Sequence, residues 1–286
     1  MKKFFIGLAM ALSFFLLIVT GSFAQYDNSI PTRSNGNSVS SSGSMSESPT
    51  YQWQFDTALS YSSGDYGTST TTHTLYWPFS LKRLFEPGDV FFTVPFLYQK
   101  AGSGVTAFNG RPFQTNRTVL RTNNDETGLG DMRLGGHYYL LKEAKQGLNL
   151  NLLGQVKFPT ADEKKGLGTG EFDETVGLES SKALNDLWNL YADFYYSVIG
   201  DPPGIDFDNM ISFDAGVGYQ FTPKTEATVF YRESTALLDN RENPRDILLG
   251  ANHKMSEQTK IDGNVGFGLS DGSPDVSVTA GMSYLF

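Results

Sequence analysis

The chain has no cysteine, only three histidines and 19% charged residues, against a usual share of about 25%. Without Cys there is no disulfide framework, no thiolate metal site and no Cys nucleophile. His73, His137 and His253 are widely separated and form no H-x-x-x-H or H-E-x-x-H spacing, so the zinc-hydrolase motif is missing. Basic residues are also short, with 22 Lys and Arg against 31 Asp and Glu and a net charge of −9, the wrong balance for nucleic acid. What the chain has is 30 Gly, 22 Phe, 14 Tyr and 39% apolar residues, too hydrophobic for disorder. The glycines follow no triplet repeat, which excludes collagen. A length of 286 residues allows one large domain or two small ones.

The first residues differ from everything after them. Lys2 and Lys3 precede an uncharged apolar run from Phe4 to about Val19, and Gly21, Ser22, Phe23 and Ala24 place small residues at −3 and −1 of a cleavage after Ala24. We read residues 1–24 as a cleaved secretory signal, with a single membrane-spanning anchor as the competing reading. No Cys follows the cleavage point to carry a lipid. Residues 25–49, with "SNGNSVSSSGSMSES", offer little to bury and form a flexible leader, or else a segment that folds back to plug the domain behind it.

From Tyr51 onward the apolar period is two. Val276, Val278, Ala280, Met282, Tyr284 and Phe286 alternate with Ser277, Thr279, Gly281, Ser283 and Leu285, and the same dyad marks Trp188–Val198 and Ile211–Gln220. Twelve strands are expected, near 51–62, 69–83, 89–101, 128–141, 147–159, 171–183, 186–199, 207–221, 224–236, 245–255, 258–270 and 275–286. Their connections alternate in length. "FEPGD", "KEAKQG", "KALND", "FTPKT" and "MSEQT" are short, whereas 102–127, 160–170, 200–206, 237–244 and 271–274 are generally longer and rich in Gly, Asp and Asn. Short turns on one rim and longer loops on the other are the pattern of a transmembrane antiparallel β-barrel in an outer membrane.

A soluble β-sandwich or barrel also gives period-two strands. The polarity decides between them. Phe, Tyr, Trp, Leu and Val share one face, while the other carries Ser, Gly, Asn, Gln and charges that look too small to fill a soluble core. Aromatics gather at strand ends, as in interfacial girdles. The expectation is therefore an all-β outer-membrane barrel over 50–286 with apolar side chains toward lipid. Its inward set would be Asp56, Asp131, Arg133, His137, Lys157, Glu179, Asp193, Asp214, Glu226, Arg232, Lys254 and Asp262. Each inward charge is either paired to fill space or lines a watery path. Seven acids to four bases give that path a negative potential, with Asp193 and Asp214 as the positions to neutralise.

Two blocks resemble a known family. "TGLGDMRLGGHYYLL" (127–141) and "LNLLGQVKFPTADEKKGLGTGEFD" (150–173), followed by "VGLESSKAL", are similar to the outer-membrane transporter-like family labelled as the MetA pathway of phenol degradation. That pattern has a G-x-G-D strand, a K-x-P-T-G segment and a G-x-G-T-G-x-x-D loop; here Ala161 replaces the Gly after Thr160. The resemblance implies an outer-membrane barrel passing small, often aromatic or hydrophobic compounds. The ending "GMSYLF" resembles the signal read by the barrel-assembly machinery of Gram-negative bacteria, with Tyr284 and Phe286 in its alternate positions.

Other motifs have plainer readings. Gly166, Gly168 and Gly170 lie between strands with no helix behind them, so they suggest a flexible extracellular loop rather than a phosphate cradle. Asp201, Asp206 and Asp208, and Asp239, Glu242 and Asp246, match no calcium-loop spacing, and solvated hairpin tips are the commoner reading. No cofactor, metal or catalytic set is expected. The expected partners are outer-membrane lipid, the assembly machinery and small solutes. Three functions remain: a narrow passive channel, a phospholipase-like barrel enzyme in which His253 would need Ser212 or Ser256, and a structural or adhesive surface barrel acting through the 102–127 loop.

Overall fold

The computed structural model describes residues 52–101, 105–108, 110–114, 125–142 and 148–286, with the backbone of Ser22 and Phe23 lying parallel beside His137. The rest of residues 1–24, expected as a signal, and residues 25–49, expected as a leader, lie outside the described residues.

The strands are β1 Trp53–Gly64, β2 Thr72–Phe85 and β3 Gly88–Lys100, then a separate hairpin, β4 Val105–Phe108 and β5 Arg111–Gln114. There follow β6 Asp125–Leu129, β7 Met132–Leu141, β8 Asn149–Phe158, β9 Asp173–Ala183, β10 Trp188–Val198 and β11 Met210–Thr222. The last four are β12 Thr225–Ser234, β13 Arg245–Lys254, β14 Thr259–Gly268 and β15 Val276–Leu285. From β1 to β3 and from β7 to β15, strands consecutive in the chain pair antiparallel. β15 closes back on β1 through Tyr284↔Phe55, while β3 pairs with both β6 and β7. Because β6 and β7 form one stave, the result is a closed barrel of twelve staves, and closure satisfies every edge that lipid would leave unpaired.

The dyad produces this shape because one face of every stave meets hydrocarbon. Leu59, Trp77, Phe96, Phe194 and Val229 are exposed on the outer surface, while Ser60, Tyr76, Gln99, Tyr195 and Thr228 on the alternate positions are buried inside. At the short-turn rim Trp188 meets Tyr219 edge-on at 4.9 Å, Tyr284 stacks on Phe286 at 6.0 Å, and Arg83 lies over Trp53 at 5.3 Å. Phe286 ends the chain paired with the first stave: its N–H donates to Trp53 O and its carbonyl accepts from Trp53 N.

The fourth stave departs from regular alternation. Between β6 and β3 the paired residue numbers sum to 225 (Phe96↔Leu129), but between β7 and β3 they sum to 226 (Thr93↔Arg133), so one extra residue is absorbed at Gly130–Asp131. The cause stands opposite. Pro95 has no N–H to give to the ladder, so the partner strand bulges there, with Gly130 N donating to Pro95 O at 2.9 Å. Thr160 secures the bulge, its hydroxyl donating to Gly130 O and accepting from Met132 N. The bulge shifts the phase, so that Asp131, Arg133 and His137 all face inward.

Candidate functional site

The barrel interior is the candidate site, and it is fuller than its sequence suggests. The inward face carries Tyr76, Phe91, Leu97, Leu153, Tyr191, Tyr195, Phe230 and Leu248 among the polar residues. That corrects the expectation of an inner face too small to fill space. Much of the outer end is occupied by the β4–β5 hairpin, where Val105 and Phe108 are buried. The 102–127 segment, expected as a surface loop, therefore contributes its described part to the interior. Gly110 sits at the hairpin turn with φ 79°, and its missing Cβ would run into the Tyr76 ring, so this turn requires glycine on both counts.

The two family blocks converge on one lysine. Lys157 Nζ lies 3.3 Å from Asp131 Oδ2, 2.5 Å from Asp173 Oδ2 and 2.8 Å from Thr169 Oγ1, all four side chains being buried. Asp131 also accepts from Ala161 N through Oδ1. The G-x-G-D aspartate, the K-x-P-T lysine and the Thr and Asp of the third motif thus form one clasp, which folds the loop after β8 inward. Gly166, Gly168 and Gly170 belong to this packed loop. Gly166 O accepts from Ala107 N of the hairpin, Leu167 is buried against Tyr76 and Leu97, and a Cβ on Gly168 would strike Asp131. That corrects the reading of a flexible extracellular loop. Burial, with Asp173 and Glu163 nearby, raises the Glu171 carboxyl above its ordinary range.

The hairpin is seated by complementary contacts. Lys157 Nζ lies 5.3 Å from the centre of the Phe108 ring, Phe108 meets Phe113 edge-on, and Phe113 meets Phe207 likewise at 5.7 Å. Ile199, Met210, Leu237 and Leu238 complete this apolar cluster. Arg111 NH2 reaches Asp246 Oδ2 at 2.6 Å, so Asp246, expected at a solvated hairpin tip, is instead buried and held by a guanidinium.

Of the sequence-expected inward residues, the barrel brings several together. Glu179, Asp193, Asp214 and Arg232 are successive cross-strand partners on β9 to β12, and Asp246 on β13, not expected from sequence, continues the row. Inward neighbours in such a row stand about 5 Å apart at Cβ. Arg232 Nε donates to both Asp214 oxygens at 3.0 Å, and His137 bridges Asp89 at 2.6 Å and Glu179 at 3.4 Å. Arg133 donates to Tyr76 Oη, and Glu226 accepts from Tyr191 Oη, Asn189 and Asn252. Asp56 accepts from Gln54 at 2.6 Å with Lys82 Nζ at 4.0 Å, and Asp262 faces inward on β14. Lys254 is the exception: it sits at the short-turn rim and pairs with exposed Glu257.

Sequence reasoning missed Lys82, Asp89, Arg111, Asp173 and Asp246 as inward charges. Lys82 follows Ser80 at the even inward positions of β2 and was legible from the dyad, whereas Asp89 looked like part of a turn. The phospholipase pairing does not form. Ser212 lies opposite Ser234 at one end of β12 and His253 opposite Thr225 at the other, where its Nδ1 bonds the Thr225 hydroxyl. Ser256 accepts from Gln258 N and Thr259 N within its own turn. Among the described residues no group of three His, Asp or Glu side chains is arranged to hold a metal.

Closed antiparallel staves, a lipid-type outer face, aromatic rims and a polar, charged interior define an outer-membrane β-barrel. A family profile matches residues 82–286, and the chain belongs to the family described as "Putative MetA-pathway of phenol degradation". Among solved structures, the β domain of the Bordetella autotransporter BrkA is 10% identical, with 82% of this chain and 100% of that one covered and a TM-score of 0.50. The monoaromatic hydrocarbon channel CymD (8% identical, 82% and 89% covered, TM-score 0.44) and the Pseudomonas putida toluene transporter TodX (11%, 82% and 89%, 0.43) are also similar. At these identities the likeness concerns fold alone. Among curated proteins none matches the chain in sequence.

Proposed function

We propose that the protein is a narrow passive channel for small solutes, with small aromatic or hydrophobic compounds as its class of cargo. The observation that carries this is the interior: a closed twelve-stave wall whose inner half is lined by Asp56, Glu179, Glu226, Asn252 and Asp262, narrowed at its outer end by an inserted hairpin. Twelve staves fall between the eight that close around side chains and the sixteen that leave a wide aqueous pore. Buried ion pairs hold a fold no better than apolar packing does, so a wall this rich in hydrogen-bonding groups suits a path for solute and water. The rings of Phe108, Phe113 and Phe207 at the outer end, together with the family description, favour aromatic cargo.

The test is flux of phenol and of a hexose into proteoliposomes holding the purified barrel, run beside a phospholipase assay. Phenol uptake above that of empty vesicles, with no lipid hydrolysis, is expected. Lipid hydrolysis, or no flux of either solute through correctly folded protein, would overturn the reading.

A further inference from the structure

We propose that the β4–β5 hairpin is a displaceable plug, pinned shut by the Arg111–Asp246 charge pair, and that solute passes when the hairpin leaves its seat. This rests on the channel reading above.

The hairpin is built differently from the staves around it. Each stave is laddered to a neighbour along both edges, whereas β4 and β5 pair with each other through four residue pairs, Val105↔Gln114 to Phe108↔Arg111. A two-stranded ribbon of that size is marginal by itself. Its hold on the wall includes the Ala107 N to Gly166 O hydrogen bond, the packing of Ala107 on Tyr76 and Leu97, the Lys157–Phe108 contact, the apolar seat beside Phe207, and Arg111. Breaking these contacts disturbs no barrel ladder.

The Arg111 side chain keeps 18% of its surface accessible, against 3% for Asp246. Salt reaches this pair from the Arg111 side alone and screens it only weakly. The seat beneath is aromatic, so an aromatic solute arriving from outside competes with Phe108 and Phe113 for the same surface.

The experiment is single-channel recording in planar bilayers, with heat-modifiable gel mobility as the check on folding. Arg111→Gln and Asp246→Asn should each raise the open fraction about tenfold, equivalent to about 1.4 kcal/mol. Raising the salt concentration should open the wild type slightly and leave both variants unchanged. Because the chain has no native cysteine, an Ala107→Cys, Ala161→Cys pair in one packed cluster can be joined by a short reducible cross-linker. The joined protein should stay shut until reductant is added. Equal conduction before and after reductant would overturn the plug, as would unchanged open fractions in both charge variants. A variant with residues 105–114 replaced by a Gly-Ser link separates the two readings. If it folds and conducts nothing, the channel reading fails; if it conducts while the cross-linker has no effect, only the plug fails.

Discussion

Arg232 grips Asp214 with Nε donating to both carboxylate oxygens, while the next inward carboxylate in the row, Asp193, stands between Asp214 and Glu179. The two aspartates that sequence alone treats as equivalent therefore differ. Replacing Asp214 by Asn removes the charge that the buried Arg232 guanidinium grips, and breaking such a pair costs up to about 3–5 kcal/mol. We expect Asp214→Asn to lower the yield of heat-modifiable barrel. Asp193→Asn instead relieves like charges set directly opposite one another, so assembly should hold while cation-over-anion preference, read from reversal potentials in a salt gradient, falls. Reduced preference with normal assembly in Asp214→Asn would contradict this division.

Lys157 carries the clasp, so its removal should loosen a particular place. Lys157→Met keeps the length of the side chain but leaves Asp131 and Asp173 buried without their cation. Limited proteolysis should then cut within 160–170 while the barrel core resists, and Asp131→Asn combined with Asp173→Asn should restore part of the resistance. A loop as resistant as in the wild type would show that the clasp does not hold it.

Phe286 has two roles that one substitution separates. Its backbone closes the barrel against Trp53, and its ring stacks on Tyr284. Phe286→Ala retains the first and removes the second. If the ring is read by assembly machinery, outer-membrane abundance should fall well below that of Met255→Ala, an exposed residue of a short turn. Leu238 looks like a loop residue in sequence but is buried beside Phe207, so it is unsuitable as the control.

Glu171 offers a pH test in the outer loop. Its carboxyl is raised by burial and then by Asp173 and Glu163, so folding favours the protonated form. The contribution is present below the unfolded pKa and is lost as pH rises through the higher folded value. Glu171→Gln should therefore raise the thermal midpoint slightly at pH 7 and leave it unchanged in acid. The opposite sign at pH 7 would show that Lys157 governs the site instead.

The staves were legible because lipid on one side and polar groups on the other impose a period of two that no local propensity has to supply. Tyr284 to Val276 and Val198 to Trp188 show it directly. The interior was legible by direction but not by partner. That Asp193 faces Asp214, or that Lys157 meets Asp131 and Asp173, depends on register between strands, which composition does not reveal. The hairpin was missed for a different reason: four-residue strands carry too few alternations to stand out, and their burial comes from entering a barrel that others build.

The bulge opposite Pro95 has a consequence for how the fourth stave tolerates change. A straight stave with this sequence would turn Asp131, Arg133 and His137 into hydrocarbon and draw Met132, Leu134, Tyr138 and Leu140 inside. Removing Gly130 would erase the surplus residue and leave every later side chain on its present side. Removing Gly135, a residue of the same type five positions on, would put the two halves out of phase and force either Arg133 or His137 into the membrane. Two single-glycine deletions in one strand should thus have opposite fates, decided by where the neighbouring strand lacks an amide hydrogen.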